Sequence, residues 1–327
     1  MPASHSPIIH DRVIDELREQ VVNELAHHLA WLPLKNALEG NCPVVTWFTN
    51  LPTSGIRQFF FEPGLASYDP HDLDRVRYFY PFIGDVLAPM ILKGEIQDGS
   101  VPGSYDDRKL RWSNLGLEEC LELDPSTLTL AVGPTWFQQC QRDIHRAPID
   151  ALKLMLEGLT HHADPYAYFA RGLGVVVIPV AREGTLFIGK RTRTTDYDRS
   201  LCFVSGWATF STDLGSIDPL RELERELQEE IHLGAPINRE QTRFLGLAGH
   251  PLTSEVDLVF LTQTDLSEEH FQRGCWPEHE AWYPIHNCNE ADQLLAHGSI
   301  HGRDEQFDLM FSSRFALECL INHYWPQ

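Results

Sequence analysis

The sequence predicts an α/β protein whose second half builds a sheet closed by helices. The segment from Gly172 to Val180 is β-branched and apolar at both alternating positions, as in a central strand covered on both faces. Asp218 to Leu233 carries apolar residues three and four apart, as on the buried side of a helix. Phe311 to His323 is predicted to be a closing helix. Strands followed and interrupted by helices indicate a layered α/β architecture.

The length of the chain predicts two domains. At 327 residues it exceeds the usual size of a single domain, ~100–200 residues. The polar stretch His161 to Pro165 is interpreted as the linker, so residues 1–164 form a mixed α+β N-terminal domain and residues 165–327 form a second domain. The first half contains no catalytic motif. Its role is left open between shaping a substrate pocket, forming a homodimer contact and binding a partner.

Within the first half, Val44–Phe48, Gln58–Phe61 and Thr127–Val132 are predicted strands, and Pro52-Thr53-Ser54-Gly55 is the predicted turn between the first two. Gly133-Pro134-Thr135 is predicted to be a turn that opens a helix running from Thr135 to Ile144. A strand, a glycine turn and a helix N-terminus can together hold an anion. An ordinary helix cap is the stronger interpretation of this turn.

The charge of the chain narrows the classes of partner. A formal net charge of −21 repels polyanions, so broad nucleic-acid binding and binding to anionic membranes are not expected. The seven cysteines are scattered and include no CxxC pair, which predicts separate reduced thiols. No signal-peptide core and no apolar run of ~20 residues is present. These features predict a cytoplasmic protein.

The second half has the remaining elements of a sheet flanked by helices. The predicted strands are Gly184–Arg191, Leu201–Val204, Phe244–Gly249, Val256–Thr262 and Ala281–Ile285, and Glu290–His297 is a further predicted helix.

Four glutamates form a stripe on the helix that starts at Asp218. Glu222, Glu226, Glu229 and Glu230 lie three and four residues apart, so they share one side of the helix. Like charges at this spacing repel by a few tenths of a kcal/mol per pair, roughly. Bound Mg²⁺ would offset the repulsion, because it prefers carboxylate oxygens. A solvated acidic helix face is the alternative interpretation.

The order of residues from Arg225 to Leu233 resembles the second half of the Nudix box, Arg-Glu-apolar-any-Glu-Glu-any-Gly-apolar. Every fixed position agrees except the glycine, which is His232 here. The first half of the box departs from the family. The turn Ser205-Gly206-Trp207 looks like the family's Pro-Gly-Gly turn, followed by a longer loop, and Asp213 or Asp218 is a candidate partner for Arg225.

The resemblance implies a C-terminal Nudix-like α/β/α sandwich with a mixed sheet. It also implies Mg²⁺-dependent hydrolysis, with Mn²⁺ as a substitute, of a diphosphate linkage in a small molecule of the nucleoside diphosphate type. By motif position Glu226, Glu229 and Glu230 are the expected metal ligands, and Glu226 or Glu230 is expected to act on the attacking water. Arg225 is expected to hold the loop over the helix. Glu222 is expected to be a surface residue.

A basic run precedes the box and is a candidate clamp for diphosphate oxygens: Lys190, Arg191, Arg193 and Arg199. A solvated loop neutralised by neighbouring aspartates is the equal alternative. Gly206 and Trp207 are candidate substrate contacts, although Trp207 and Trp282 are better interpreted as core residues than as base-stacking ones. The altered box leaves a second function open, a catalytically impaired Nudix-fold module that binds a nucleotide-type ligand as a sensor or regulator.

Overall fold

A computed structural model describes part of the chain. The described residues are 45–48, 56–61, 108–112, 128–162, 165–166, 168–192, 199–209, 218–250, 252–274, 276–300, 302 and 305–325. Within them no helix is both long enough and apolar enough to cross a membrane.

The described strands are β1 Val45–Phe48, β2 Ile56–Phe61, β3 Arg108–Trp112, β4 Leu128–Trp136, β5 Leu173–Val180, β6 Leu186–Arg191, β7 Leu201–Cys202, β8 Val204–Trp207, β9 Thr242–Gly249, β10 Val256–Gln263 and β11 His279–Ile285. The described α-helices are α1 Phe137–Ile144, α2 Pro148–His162, α3 Pro219–Ile231, α4 Glu268–Arg273, α5 Cys288–His297 and α6 Phe311–Cys319, and α6 continues into a π-helical turn over Leu320–Tyr324.

Eight strands form one mixed sheet in the order β1-β9-β10-β5-β6-β11, with β7 paired to β6 and β8 paired to β5. β10 runs parallel to β5, whereas the other neighbours in this sheet are antiparallel. A second sheet of three strands has the order β2-β4-β3. The mixed α/β class predicted from the sequence is confirmed.

The larger sheet is the middle layer of a three-layer sandwich. Val175 of β5 packs in an apolar cluster that contains Leu227 of α3. The next residue, Val176, packs in a second cluster that contains Phe315 of α6. Because successive side chains of a strand point to opposite faces, α3 and α6 cover opposite faces of the sheet. This arrangement explains why β5 is apolar at every position.

The first half differs from the sequence prediction in two places. β1 pairs with β9 of the larger sheet and β2 pairs with β4, so the two predicted neighbours do not form a hairpin. The helix predicted to begin at Thr135 begins at Phe137, because β4 continues to Trp136 and its Gly133 and Pro134 pair with β3. The suggested anion-binding turn is therefore not formed. The division of the chain after residue 164 stays a prediction.

Helix α3 begins as the sequence predicts and ends in a strained residue. The Asp218 carboxylate accepts a hydrogen bond of 3.0 Å from the Leu220 N–H, and Pro219 follows the cap. At the C-terminal end His232 adopts φ 54° and ψ 42°, and its N–H donates to the Leu227 carbonyl. This left-handed conformation favours glycine. The imidazole stacks on Trp276 at a centroid distance of 5.6 Å, which gives the histidine a packing role.

We expect His232→Gly to be more stable than His232→Ala by about 1 kcal/mol, because alanine keeps the left-handed strain that glycine removes. Both variants lose the stacking on Trp276, so their difference reports the backbone alone. Chemical denaturation of the two proteins measures it. An alanine variant as stable as the glycine variant would show that the helix does not end in this conformation.

Candidate functional site

The glutamate face of α3 lies against strand β8, and the residues predicted from the sequence to form a turn, Ser205-Gly206-Trp207, belong to that strand and pair with β5. Leu223, Leu227 and Ile231 are fully buried and fix the helix on the sheet. With the helix held in this rotation, Glu226 and Glu230 also leave the solvent, with exposed fractions of only 6% and 2%. Glu229 projects outward, and its side chain is 60% exposed. The acidic stripe is therefore partly buried, not an ordinary solvated face.

One guanidinium group holds three of these carboxylates. Arg225 donates from Nη1 to Glu229 Oε2 at 2.9 Å and from Nη2 to Glu222 Oε2 at 3.0 Å. Nη2 also donates to Oε1 of Glu226. That Arg225 holds the loop over the helix stays a prediction. Asp218 is not its partner, since that carboxylate accepts from Arg239 at 2.8 Å; Asp213 lies outside the described residues.

Glu222 is not the surface residue that the sequence suggested. Its Oε2 accepts a hydrogen bond of 3.1 Å from the Thr209 N–H in addition to those from Arg225. The side chain is 18% exposed. It therefore ties the start of the loop after β8 to helix α3, and it pairs with Arg225 as Asp213 or Asp218 was expected to do.

Gly206 makes room for Glu226. A Cβ atom at position 206 would lie 2.1 Å from Glu226 Oε1, far inside van der Waals contact. The absent side chain therefore lets the buried carboxylate pack directly on the backbone of β8.

Two donors from different strands hold Glu230. The Ser205 N–H of β8 donates to Oε1 at 3.1 Å, and Nε2 of His279 in β11 lies 2.7 Å from Oε2. Burial first, and then the positive charge of Arg191, lower the pKa of His279 to about 3. The imidazole is therefore neutral near pH 7, and Nε2–H donates to the ionised form of Glu230. Sequence reasoning missed His279, and only its position before the predicted strand at Ala281 could have suggested it.

Burial raises the pKa of both inner glutamates. For Glu226, desolvation is the largest cause; the Arg225 charge opposes it, and the Glu230 and Glu229 charges add to it. For Glu230, desolvation again comes first and the Arg191 charge opposes it. The pair is therefore short of positive charge and retains protons at a pH where exposed glutamates have lost theirs.

The basic run is divided between the two faces of β6. Arg191 is buried on the glutamate side, donates from Nη2 to Glu278 Oε2 at 3.1 Å and acts by its charge on Glu230. Lys190 points to the opposite face, where Nζ donates to Glu305 Oε1 at 2.9 Å and lies over the Phe307 ring. The structure thus brings Arg191, and not Lys190, to the glutamates.

The other candidate substrate contacts have different surroundings. Arg199 stands before β7 with φ 60°, and Arg193 lies outside the described residues. Trp207 donates from Nε1 to Glu255 Oε1 at 3.2 Å and meets the Phe137 ring edge-on at 5.3 Å. These contacts favour the packing interpretation of Trp207 over base stacking.

A cavity of about 460 Å³ lies beside β11 and is lined in part by Phe271, Trp276, Trp282 and Glu280. Its volume is within the range of small-molecule sites. Trp282 also contacts the His279 ring, with the ring centroids 4.5 Å apart. Trp282 therefore links the cavity to His279, whose Nε2 lies 2.7 Å from Glu230 Oε2.

The carboxylate oxygens of α3 are the type of ligand that a hard divalent cation prefers, although the side chains are not arranged around one point. Across the described residues no group of three or more His, Cys, Asp or Glu side chains is arranged to hold a metal ion. Glu226 and Glu230 nevertheless supply buried oxygens that repel one another, which Mg²⁺ would stabilise. Arg225 bonds one oxygen of Glu226 and one of Glu229, so an ion bound at these carboxylates would share them with the guanidinium.

No protein-family model matches the chain, and no curated protein is significantly similar to it. Among solved structures, the Nudix domain of NrtR from Shewanella oneidensis, crystallised with ADP-ribose, is 15% identical, and the alignment covers 50% of this chain and 94% of that one with a TM-score of 0.31. Part of this chain is similar to Nudix proteins.

Two further solved structures give similar values. The MutT protein of Methanosarcina mazei is 12% identical over 45% of this chain and 90% of its own, with a TM-score of 0.30. A protein of Deinococcus radiodurans is 16% identical over 46% of this chain and 83% of its own, with a TM-score of 0.32. The assignment of the fold rests on the sheet and helices of the chain itself.

In a chelating buffer, we expect the stability of the protein to fall as the pH rises above the ordinary carboxyl range. The unfolded glutamates ionise there freely, whereas Glu226 and Glu230 resist ionisation, and each such group costs at most about 1.4 kcal/mol per pH unit. Glu226→Gln should make the decline shallower. Thermal unfolding at several pH values measures the slopes, with Glu224→Gln, on the opposite side of α3, as the matched control; equal slopes for all three proteins would contradict the burial of this pair.

We expect Gly206→Ala to lower the free energy of unfolding by about 1–3 kcal/mol, because the new methyl group displaces the Glu226 carboxylate. Gly234→Ala is the matched control, since no atom lies within 4 Å of a Cβ placed at 234. Denaturant titration compares the two variants. If both were as stable as the unaltered protein, Glu226 would not pack on Gly206.

Proposed function

We propose that this chain is a Mg²⁺-dependent hydrolase of a diphosphate linkage in a small molecule of the nucleoside diphosphate type. The observation that supports the proposal most strongly is the burial of Glu226 and Glu230 side by side on α3, against Gly206 of strand β8. Carboxylates that face solvent need no such slot. The resemblance of Arg225–Leu233 to the Nudix box supplies the reaction class.

Glu226, Glu229 and Glu230 are the residues that would hold Mg²⁺ or Mn²⁺. When bound, the ion polarises phosphoryl oxygens and lowers the pKa of a bound water molecule. The chain's own residues orient this site: Arg225 fixes the helix to the loop, and the Glu226 carboxylate is the proposed acceptor of a proton from that water. Among the described residues only Oε1 of Glu226 accepts a hydrogen bond, so Oε2 is the atom we propose for the water proton.

A clamp for the diphosphate oxygens is proposed from the basic run. Its candidates are Lys190, Arg191, Arg193 and Arg199; of these, Lys190 is held by Glu305 on the other face of β6, and Arg191 is buried beside Glu278. Gly206 contributes because its missing side chain leaves space for the Glu226 carboxylate beside β8. We also propose a small-molecule substrate, a cytoplasmic location and a homodimer contact through residues 1–164. We expect no broad binding to nucleic acids or membranes.

The alternative is a Nudix-fold module that binds a nucleotide-type ligand without hydrolysing it. The contacts of Arg225 favour this second function, because one guanidinium already pairs with Glu222, Glu226 and Glu229. The residue in place of the box glycine, His232, also separates this chain from the family pattern.

We expect the purified protein with Mg²⁺ or Mn²⁺ to hydrolyse at least one compound in a panel of nucleoside diphosphate derivatives, ADP-ribose among them. Glu229→Gln and Glu230→Gln should each lower the rate by about 100-fold or more, since loss of residues that only support metal ligands already costs about 10–100-fold. Glu224→Gln should keep the rate. Chromatography of the products measures the activity.

Undiminished hydrolysis by the double variant Glu229→Gln/Glu230→Gln would contradict the assignment of the site. Thermal stabilisation by a panel compound, without hydrolysis at any metal concentration, would select the binding module.

A further inference from the structure

We propose that His279 is a positioning residue, which orients the carboxylate of Glu230 and thereby sets the affinity of the site for a divalent cation. This inference rests on the proposed function and names a residue outside the glutamate helix that the site needs.

Each oxygen of Glu230 has its own donor. The Ser205 N–H donates to Oε1 at 3.1 Å, and His279 Nε2 lies 2.7 Å from Oε2. The two donors come from β8 and β11, so they fix the plane of the carboxylate from two directions. An ionised carboxylate has about four lone-pair sites, and two of them remain for other partners. A carboxylate that is held in this way pays less entropy to bind an ion.

The strands around His279 are built to receive its ring. A Cβ atom at position 189 of β6 would lie 2.2 Å from Nδ1, so Gly189 is the residue type that leaves the space. The pairing of β11 with β6 shifts register between His279 and Ala281, which brings His279 opposite Arg191. The Trp282 ring packs on the imidazole at a centroid distance of 4.5 Å.

Packing alone is a poor reason for a histidine at this position. Only 3% of the residue is exposed, and Nδ1 has no hydrogen-bond partner among the described residues. A buried polar nitrogen without a partner costs stability. An apolar side chain of the same size would avoid that cost. The contact that an apolar residue could not make is the hydrogen bond from Nε2 to Glu230.

Arg191 contributes charge to the same carboxylate. Its positive charge acts on Glu230, and its guanidinium donates hydrogen bonds to Glu278 Oε2 at 3.1 Å and to Cys202 Sγ at 3.7 Å. A positive charge favours the ionised carboxylate without fixing its plane. His279 therefore supplies direction, and Arg191 supplies countercharge.

The test compares His279→Gln with His279→Asn, two amides that differ in reach. The amide nitrogen of glutamine can occupy the place of Nε2, whereas that of asparagine is near the place of Nδ1 and does not reach Glu230. The probe is Mn²⁺ alone, titrated into the full chain and followed by the paramagnetic resonance of the free ion. We expect asparagine to weaken Mn²⁺ binding by about 10–100-fold and glutamine to stay within a few-fold of the unaltered protein.

Gly189→Ala serves as a second route to the same result, because it displaces the ring and leaves its donor intact. It should weaken Mn²⁺ binding to the extent that asparagine does, while circular dichroism reports the folded state of every variant. Equal Mn²⁺ affinity of the unaltered, Gln and Asn proteins would overturn the role proposed for His279 and leave the proposed function intact. If the unaltered protein does not bind Mn²⁺, the proposed function fails and the inference fails with it.

Discussion

The burial of two carboxyl groups side by side, Glu226 and Glu230, is the constraint on which the rest of the site depends. Ionised carboxylates that leave water lose their hydration, and two of them also repel each other. Several neighbouring residues offset this cost. Arg225 donates a hydrogen bond to Glu226, and the Ser205 N–H and His279 donate to Glu230. The charge of Arg191 also favours the ionised form of Glu230. The pKa values of both carboxyl groups are nevertheless raised, so the compensation is incomplete.

The architecture of the sandwich explains how such a pair is held in place. The leucine stripe of α3 packs on one face of the sheet and sets the rotation of the helix. Two glycines leave the space that packed side chains need: Gly206 for the Glu226 carboxylate, and Gly189 for the His279 ring. The C-terminal end of α3 differs, because His232 adopts a left-handed conformation that favours glycine. Its ring stacks on Trp276. Local packing, not the motif alone, decides the geometry of the site.

Periodicity in the sequence predicted the elements that are long and regular. The strand at β5 and the helix at α3 were predicted with their bounds nearly correct, because alternation and three-to-four spacing are local properties. The short helix α4 was not predicted. The helix after β4 was placed two residues early, because the pairing of Gly133 and Pro134 with β3 overrides their propensity to form a turn. The glutamates and Arg225 were found from their order in the chain. His279 was not, since its partner Glu230 is 49 residues away and only the fold brings them together. The different environments of Lys190 and Arg191 follow from the two faces of one strand, which the basic run alone does not reveal.

The number of protons that Mn²⁺ releases when it binds tests whether Glu226 and Glu230 form a buried pair that retains protons; titration calorimetry near pH 7 in two buffers of different ionisation enthalpy measures it. A buried pair that is short of positive charge retains protons, and a divalent cation must expel them to reach the oxygens. We expect release of about one proton per ion at neutral pH, and no release from a protein in which Glu226 and Glu230 are both glutamine. Mn²⁺ binding without proton release, or equal release by that double variant, would contradict it.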